Sequence, residues 1–460
     1  MRLSLWRRLI PCGFVLLVAG AHAESSVPLA EAARSGDRDS LRVLLQKKAD
    51  VNAHEADGST ALHWASYRDD LESAGLLIRA GAKVNAATDL GVTPLWLACQ
   101  NGSAAMVARL LQAGANPNAA LLLGETPLMV AARAGAAEVV EQLAAKGANV
   151  NAHAARGQTA LMWAASQKHP DVVRVLLAHH ADIQARSETW SQMMAVPPHG
   201  YSGYNRMIPH GGDTALLFGA RSGDLDSLKL LAAAGANIND VDAWGISATV
   251  FAAHSGFDKV VEFLLAKGAD PNLAAAGFSA LHVAIMRRDE NMVRDLLDHG
   301  ANPNSPLQTW TPTRRSSHDF NFAPQLVGAT PFWLAARFLQ PAVMRLLLQH
   351  GADARFVQHS DSVNGEGFQH RTEVTTALMA AAGMGGGTAW IQPANEQREA
   401  LLLETVKLAV ESGIDVNAAN TDGRTALDGV KAQGNDTVVR FLVEKGAKPG
   451  RPVRPNAPRK

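Results

Sequence analysis

Cysteine is nearly missing from this chain of 460 residues: Cys12 and Cys99 are the two present. An internal disulfide is therefore excluded once the first residues are removed, and Cys99, at an alanine position of a helical pattern, reads as a buried and inert thiol. Aromatic residues make up 5 % of the chain, and tyrosine occurs three times. Neither sign of charge has a surplus, with 43 Lys and Arg against 43 Asp and Glu. No pull on nucleic acid follows from such a balance. Beyond Leu9–Val18 there is no apolar run near the roughly 20 residues that a bilayer-spanning helix needs, so a soluble mature chain is expected. Gly-x-Ser-x-Gly, Cys-x-x-Cys and His-Glu-x-x-His are all lacking. Gly383 to Gly387 has the glycine content of a phosphate loop without its preceding strand or its Gly-Lys-Ser/Thr ending, and reads as a flexible connector. No catalytic residue, cofactor or metal is expected, and the chain is read as a non-enzyme.

At the amino end, Arg2, Arg7 and Arg8 precede the apolar run, and Ala21-His22-Ala23 follows it. This order is that of a secretory signal peptide over residues 1–23. A periplasmic or secreted location is expected, with about −3 net charge left on the mature chain once three arginines are removed. Arg7-Arg8 has the pair used by the twin-arginine route, although the residues after it match poorly. Cys12 lacks the small residues that would make it a lipid anchor.

Between these ends one unit repeats. Thr60-Ala-Leu-His-Trp-Ala, Thr93-Pro-Leu-Trp-Leu-Ala, Thr126-Pro-Leu-Met-Val-Ala and Thr159-Ala-Leu-Met-Trp-Ala start 33 residues apart. The unit returns at Thr214, Ser247, Ser279, Thr330, Thr376 and Thr425, and Val27-Pro-Leu-Ala opens the series, which gives eleven copies. Fixed-period self-similarity of this kind marks a stacked repeat. Within a copy, Thr can cap a first helix. A second helix follows, with Leu41, Leu44 and Leu45 on one face, and a glycine such as Gly81 or Gly114 stops it in a left-handed conformation. Where His180 replaces the usual helix-ending glycine the chain is expected to leave its helix differently, with a tolerated left-handed histidine as the plain alternative.

The Thr-Pro-Leu-His-x-Ala pattern, together with Gly351-Ala-Asp353, resembles the ankyrin repeat family over about residues 24–450. That resemblance implies an all-α solenoid of about eleven helix-turn-helix units with extended finger loops and a concave binding face. It implies no reaction. Arg34, Asp37, Arg38 and Arg42 in the opening unit, and Lys431, Asp436 and Arg440 in the closing one, put charge on both ends of the stack, so a monomer is expected. The final residues 451–460 form a basic, proline-rich tail that reads as unstructured.

The spacing lengthens four times. Insertions at about 184–212, 305–328 and 354–373 lie between a helix-ending tail and the next Thr, so they enlarge finger loops on one edge. A fourth, at about 383–400, falls between the two helices of its own unit and is expected on the opposite edge. The first finger carries Trp190, His199, Tyr201, Tyr204, Arg206 and His210. The second carries Trp310, Arg314, Arg315, His318, Phe320 and Phe322, and the third His359, Phe368, His370 and Arg371. Aromatics and arginine are the residue types that carry interface energy, and ordered loops on a rigid scaffold are where binding concentrates. The same aromatics could instead pin each finger to the helices beneath it or to its neighbour. The loop histidines lack metal-ligand spacing. Trp64, Trp163, Phe218 and Phe251 read as core or groove wall, and His63 and His282 as hydrogen-bonded within the loops.

The leading functional expectation is an exported protein-binding scaffold that uses its concave face and fingers. Recognition of a small or polymeric ligand such as a glycan in a cleft between fingers is the first alternative, and an enzyme whose site is assembled from the inserted loops is the second. The first finger, folded as a hairpin, is expected to meet Arg314, Arg315 and Phe320 of the second, enclosing a cleft lined by Tyr201, Tyr204, Arg206 and Trp310.

Overall fold

The computed structural model describes residues 27–194, 201–312, 320–364 and 368–451. The leader over 1–23, the tail beyond 451, and His199, Arg314, Arg315 and His318 lie outside the described residues. Eleven helix pairs follow one another, from Pro28–Ser35 with Arg38–Gln46 to Ala426–Ala432 with Asp436–Glu444. The first helix of each pair packs on the first helix of the next, and second helices do the same, so the molecule is a two-layered solenoid. The core runs its whole length as one continuous cluster. At the interfaces between first helices the alanines Ala65, Ala98, Ala131 and Ala164 are fully buried, and their small size lets the backbones approach closely.

The repeat motif explains each boundary. Thr93, Thr126 and Thr159 accept the N–H three residues on through their hydroxyls. In units 2 and 8 His63 and His282 complete this cap. The Nδ1 of His63 accepts the Thr60 N–H at 3.1 Å and its Nε2 meets the Val92 carbonyl at 3.0 Å. Burial pushes both imidazoles below their usual pKa, His282 to about 4. His180 does hold a left-handed conformation, at φ 61°. Cys99 is fully buried, and burial raises its thiol pKa well above the usual range.

The tails joining units are locked by an asparagine ladder. Asn52 accepts the Lys83 N–H at 2.7 Å and donates to the Gly81 carbonyl. Asn85, Asn118 and Asn151 repeat the arrangement one unit on each time. Gln184 and Arg355 stand where the ladder would continue. At both places the chain instead leaves the stack as a β-hairpin. β1 (Trp190–Met194) pairs antiparallel with β2 (Arg206–His210), Trp190 opposite His210. β3 (Val357–Asn364) pairs with β4 (Gln369–Thr376), Val357 opposite Thr376. The strands are confined to insertions. The stack itself is helical, as its repeat implies, and the β-branched run Thr372 to Thr376 accounts for extended chain in β4.

The fourth insertion departs from expectation. It does not project from the opposite edge as a flexible connector but folds back as a strap across the first helices. Trp390 lies 5.2 Å from the Phe322 ring and 5.5 Å from His254, and its indole N–H donates to the Asn321 carbonyl. The glycines are required there: a Cβ on Gly385 would meet Trp333 at 2.7 Å, and one on Gly387 would meet Leu326 at 2.4 Å.

Candidate functional site

Three insertions from three different places in the chain meet at one small cluster. Tyr204 of the first finger, Trp310 of the second and Val363 of the third bury one another, with Tyr201 and Val327 packed beside them. The Tyr204 ring stands 5.3 Å from the Trp310 ring and 5.1 Å from Tyr201, edge-on to the latter. Such aromatic pairs add about 0.5–1.5 kcal/mol each beyond the area they bury. The Tyr204 hydroxyl accepts the backbone N–H of Val363 at 2.7 Å. Burial raises the pKa of that phenol, and the bond from Val363 opposes the rise. Arg206 lays its guanidinium 4.3 Å from the Trp310 ring centre and donates to the Thr309 hydroxyl at 2.8 Å.

Beside the cluster, the Tyr201 ring stacks on Phe368 at 5.7 Å, and its hydroxyl lies 2.9 Å from Nε2 of His370. The other ring nitrogen of His370 is 3.2 Å from Asp361. Arg371 pairs with Asp422 at 2.8 Å, fastening the third finger to the loop after it. The side chain of Gln358, fully buried, donates to the carbonyls of Gln325 and Val327 and so joins the third finger to the second. The result is a bridge from the fifth unit to the tenth.

Its parts differ from the sequence expectation in two respects. Tyr204, Trp310 and Arg206 pack on one another and fill the space expected to be a cleft. The first finger meets the second at Thr309 and Trp310, and not at Phe320. Phe320 turns into the groove, 4.3 Å from His254 and 4.9 Å from Phe278, because the neighbouring Phe322 is drawn into the core by Thr311. That hydroxyl donates to the Phe320 carbonyl and accepts the Phe322 N–H. Tyr204 and Trp310 are 8 % and 7 % exposed, so their rings hold the fingers together. Trp190 stacks on His210 at 4.3 Å under Arg156, at the base of the hairpin. What faces solvent around the bridge is Met193, Met207, Phe368 and part of Trp190, at 57, 54, 43 and 40 % exposure.

Beneath the fingers the concave face is unequal along its length. Over units 7 to 9 the strap and Phe320 fill it. Over the earlier units the half-buried Trp64 and Trp163 lie on it, each under an arginine of the preceding unit, Arg34 and Arg133, at 4.9 and 5.4 Å, and Arg221 lies on Phe251 in the same way at 4.1 Å where the filled part begins. In each case the arginine ends one first helix and the aromatic lies on the next, 30 positions along. That offset is visible in the sequence as a periodic pair, and sequence reasoning passed over it. Among the described residues no group of three or more His, Cys, Asp or Glu could hold a metal, and no helix is long and apolar enough to cross a membrane.

The chain is thus a helical solenoid with packed finger loops and exposed apolar side chains at their crest. A profile described as Ankyrin repeats (3 copies) matches residues 29–121, 119–187 and 211–306, more than half of the chain, and a second, Ankyrin repeats (many copies), matches 161–232. The chain belongs to the ankyrin repeat family. Ankyrin repeats generally mediate protein–protein interaction, and the family is typically a non-enzymatic binding scaffold. Among similar proteins, the mitochondrial disaggregase of Bos taurus is 30 % identical over 151 residues, covering 25 % of this chain and 22 % of that protein. A putative ankyrin repeat-containing protein of Treponema pallidum (strain Nichols) is 38 % identical over 94 residues, covering 20 % of this chain and 32 % of that protein. The chain therefore spans between 22 % and 32 % of the length of these curated relatives. The crystal structure of the human ASB11 ankyrin repeat domain matches 54 % of this chain and 100 % of its own, at 30 % identity and a TM-score of 0.44.

Proposed function

We propose that this chain is an exported, non-enzymatic scaffold that holds a protein partner against the open half of its concave face and the crest of its finger bridge. The observation that carries the proposal is the convergence of three separate insertions on Tyr204, Trp310 and Val363. Ordering long loops costs about 1–2 kcal/mol of backbone entropy per residue, and here the ordered loops leave Met193, Met207 and Phe368 facing solvent around the tie. Exposed apolar side chains grouped on a rigid support are the usual mark of an interaction site. Because the bridge aromatics fill the space between fingers instead of lining a hollow, a protein surface is favoured over a glycan slot.

The test separates surface from glue. Met193→Ser, Met207→Ser and Phe368→Ser combined leave the buried tie intact. This triple variant should lose at least tenfold in partner capture while melting as the wild type does. Equal capture by the triple variant refutes the site. Export is checked by fractionation: the full chain should appear in the periplasm or medium with Glu24 as its new first residue, and retention of Met1 there would overturn it.

A further inference from the structure

The strap has a second face. Arg337, at the end of the first helix of unit 9, donates from Nε to the Gly386 carbonyl at 2.8 Å and from a terminal nitrogen to the Gly387 carbonyl at 3.0 Å. In a trans peptide the carbonyl and the N–H of the same unit point in opposite directions. Holding both carbonyls on one guanidinium therefore turns the N–H groups of Gly387 and Thr388 away from Arg337. Gly385 to Thr388 line a cavity of about 570 Å³ that Arg337 itself does not line. Neither amide finds an acceptor among the described residues. The strap cannot rotate to hide them, since Gly386 and Gly387 hold φ near +70° against the side chains of Gln325 and Leu326.

Charge around this cavity has a definite balance. Arg371 lines it but is already paired with Asp422, and Glu373 stands 3.9 Å from the same guanidinium. Arg424 also lines it and makes no ion pair among the described residues. Gln325 and Gln433 add amide side chains to the wall. The peptide dipoles, with the positive Arg337 behind them, and Arg424 favour an anion, while Asp428, which interacts with Arg424, and Glu373 on the same wall limit the negative charge that can be added. Successive backbone N–H groups presented side by side to a concavity are a recurrent anion-binding device, and a carboxylate, with two oxygens, can accept from both.

We propose that this cavity binds a carboxylate, held by the N–H groups of Gly387 and Thr388 and by the guanidinium of Arg424. The site lies under the second and third fingers, between Gln325, the strands of the third finger, the strap and the last unit; none of Met193, Met207 and Phe368 lines it, so the surface triple variant leaves its groups in place and the two proposals are tested separately. A carboxylate can come from the end of a peptide or from a free small acid, and titration calorimetry of the full mature chain distinguishes them. The probes are N-acetyl-Ala-Ala with a free carboxylate, the same dipeptide with its terminus amidated, acetate and inorganic phosphate. The free-carboxylate dipeptide should bind, the amidated one at least tenfold more weakly. Arg424→Gln, at an exposed position, should weaken the free form at least tenfold with unchanged melting. A dipeptide at least tenfold tighter than acetate assigns the site to peptide termini, and equal affinities assign it to small acids; both support a carboxylate site. Equal binding of the amidated dipeptide, tighter binding of phosphate, no binding of any probe, or indifference to Arg424→Gln overturns it.

Discussion

Replacing Tyr204 by Phe removes one oxygen from the bridge and leaves its ring packing in place. That oxygen accepts the N–H of Val363, whose side chain is 2 % exposed. An N–H left buried without an acceptor costs about 1–3 kcal/mol, a factor of roughly 5–150 in the equilibrium between closed and open bridge. The loss should stay local, because a repeat array is stabilised by its own units and their immediate neighbours, and those contacts are untouched. Melting is a poor reporter: spread over more than 400 residues the same energy moves a cooperative transition by roughly 1–3 °C. Amide hydrogen exchange is the better assay, read at Val363 and at the hairpin amides of β1 and β2. Exchange at Val363 should quicken by the factor above in Tyr204→Phe, and the first helices of units 2 to 4 should exchange as before. If Val363 exchanges within twofold of wild type, its protection comes from burial alone and the hydroxyl does not tie the third finger to the first. If instead units 2 to 4 lose protection equally, the bridge is part of one global cooperative unit and the local argument fails.

Two predictions concern pH, with opposite signs. His282 titrates near 4 in the folded chain because it is buried, against about 6.5 for a free imidazole, so its cap stabilises fully above pH 6.5 and fails as pH falls towards 4. The advantage of wild type over His282→Gln in urea melts should shrink by about 2–3 kcal/mol between pH 7 and 4.5, and a constant difference would show that the imidazole titrates freely. Asp242, between units 6 and 7, titrates near 6 because burial raises it, against the bonds it accepts from Ile246 and the positive Arg221, and with the negative Asp213 adding to the rise. Here stability is present below about pH 4 and lost as pH climbs through 6. Asp242→Asn keeps an oxygen for the Ile246 and Trp244 N–H groups. It should be more stable than wild type by about 2–3 kcal/mol at pH 7.5 and show no gain at pH 4; an equal gain at both would point to packing.

The parts of this fold that recur were visible in the sequence, and those that do not recur were not. Period, caps and glycine stops follow from nearest-neighbour contacts, so the same physical demand is written again in nearly every unit; the second helices stop at a left-handed glycine except at Lys48 and His180, which hold the same conformation. The hydrogen bond from Val363 to Tyr204 joins positions 159 apart, and that from Tyr201 to His370 joins positions 169 apart. Each occurs once, and no period announces it. Aromatic content located the fingers correctly as unusual, yet it could not say that Phe320 points into the groove while Phe368 points out. The strap was misjudged for a related reason. Glycine content alone fits a loose connector as well as a segment squeezed between Trp333, Gln325 and Leu326, and only the neighbours tell these apart.

The two hairpins leave the stack where Gln184 and Arg355 replace ladder asparagines, and this coincidence has a mechanical meaning. In an ordinary array each tail fixes only the next, and small angular errors accumulate along the stack. Here the tie through Tyr204 and Val363 connects the end of the fifth unit with the start of the tenth, Gln358 fixes the second finger to it, and Arg371 fastens the third finger to the loop after the tenth unit. Bending across these units would have to separate the Tyr204 and Trp310 rings, so the bridge holds their relative orientation. The units before it are joined by helix packing, the ladder and the arginine-on-aromatic contacts, and among the described residues no finger bridges them. A partner that enters there meets a surface able to adjust at one end and a fixed crest of Met193, Met207 and Phe368 at the other. On the proposed function the crest would set the geometry and the groove complete the fit, which is why the surface triple at the crest, and not the buried tie, is the substitution that should separate binding from folding.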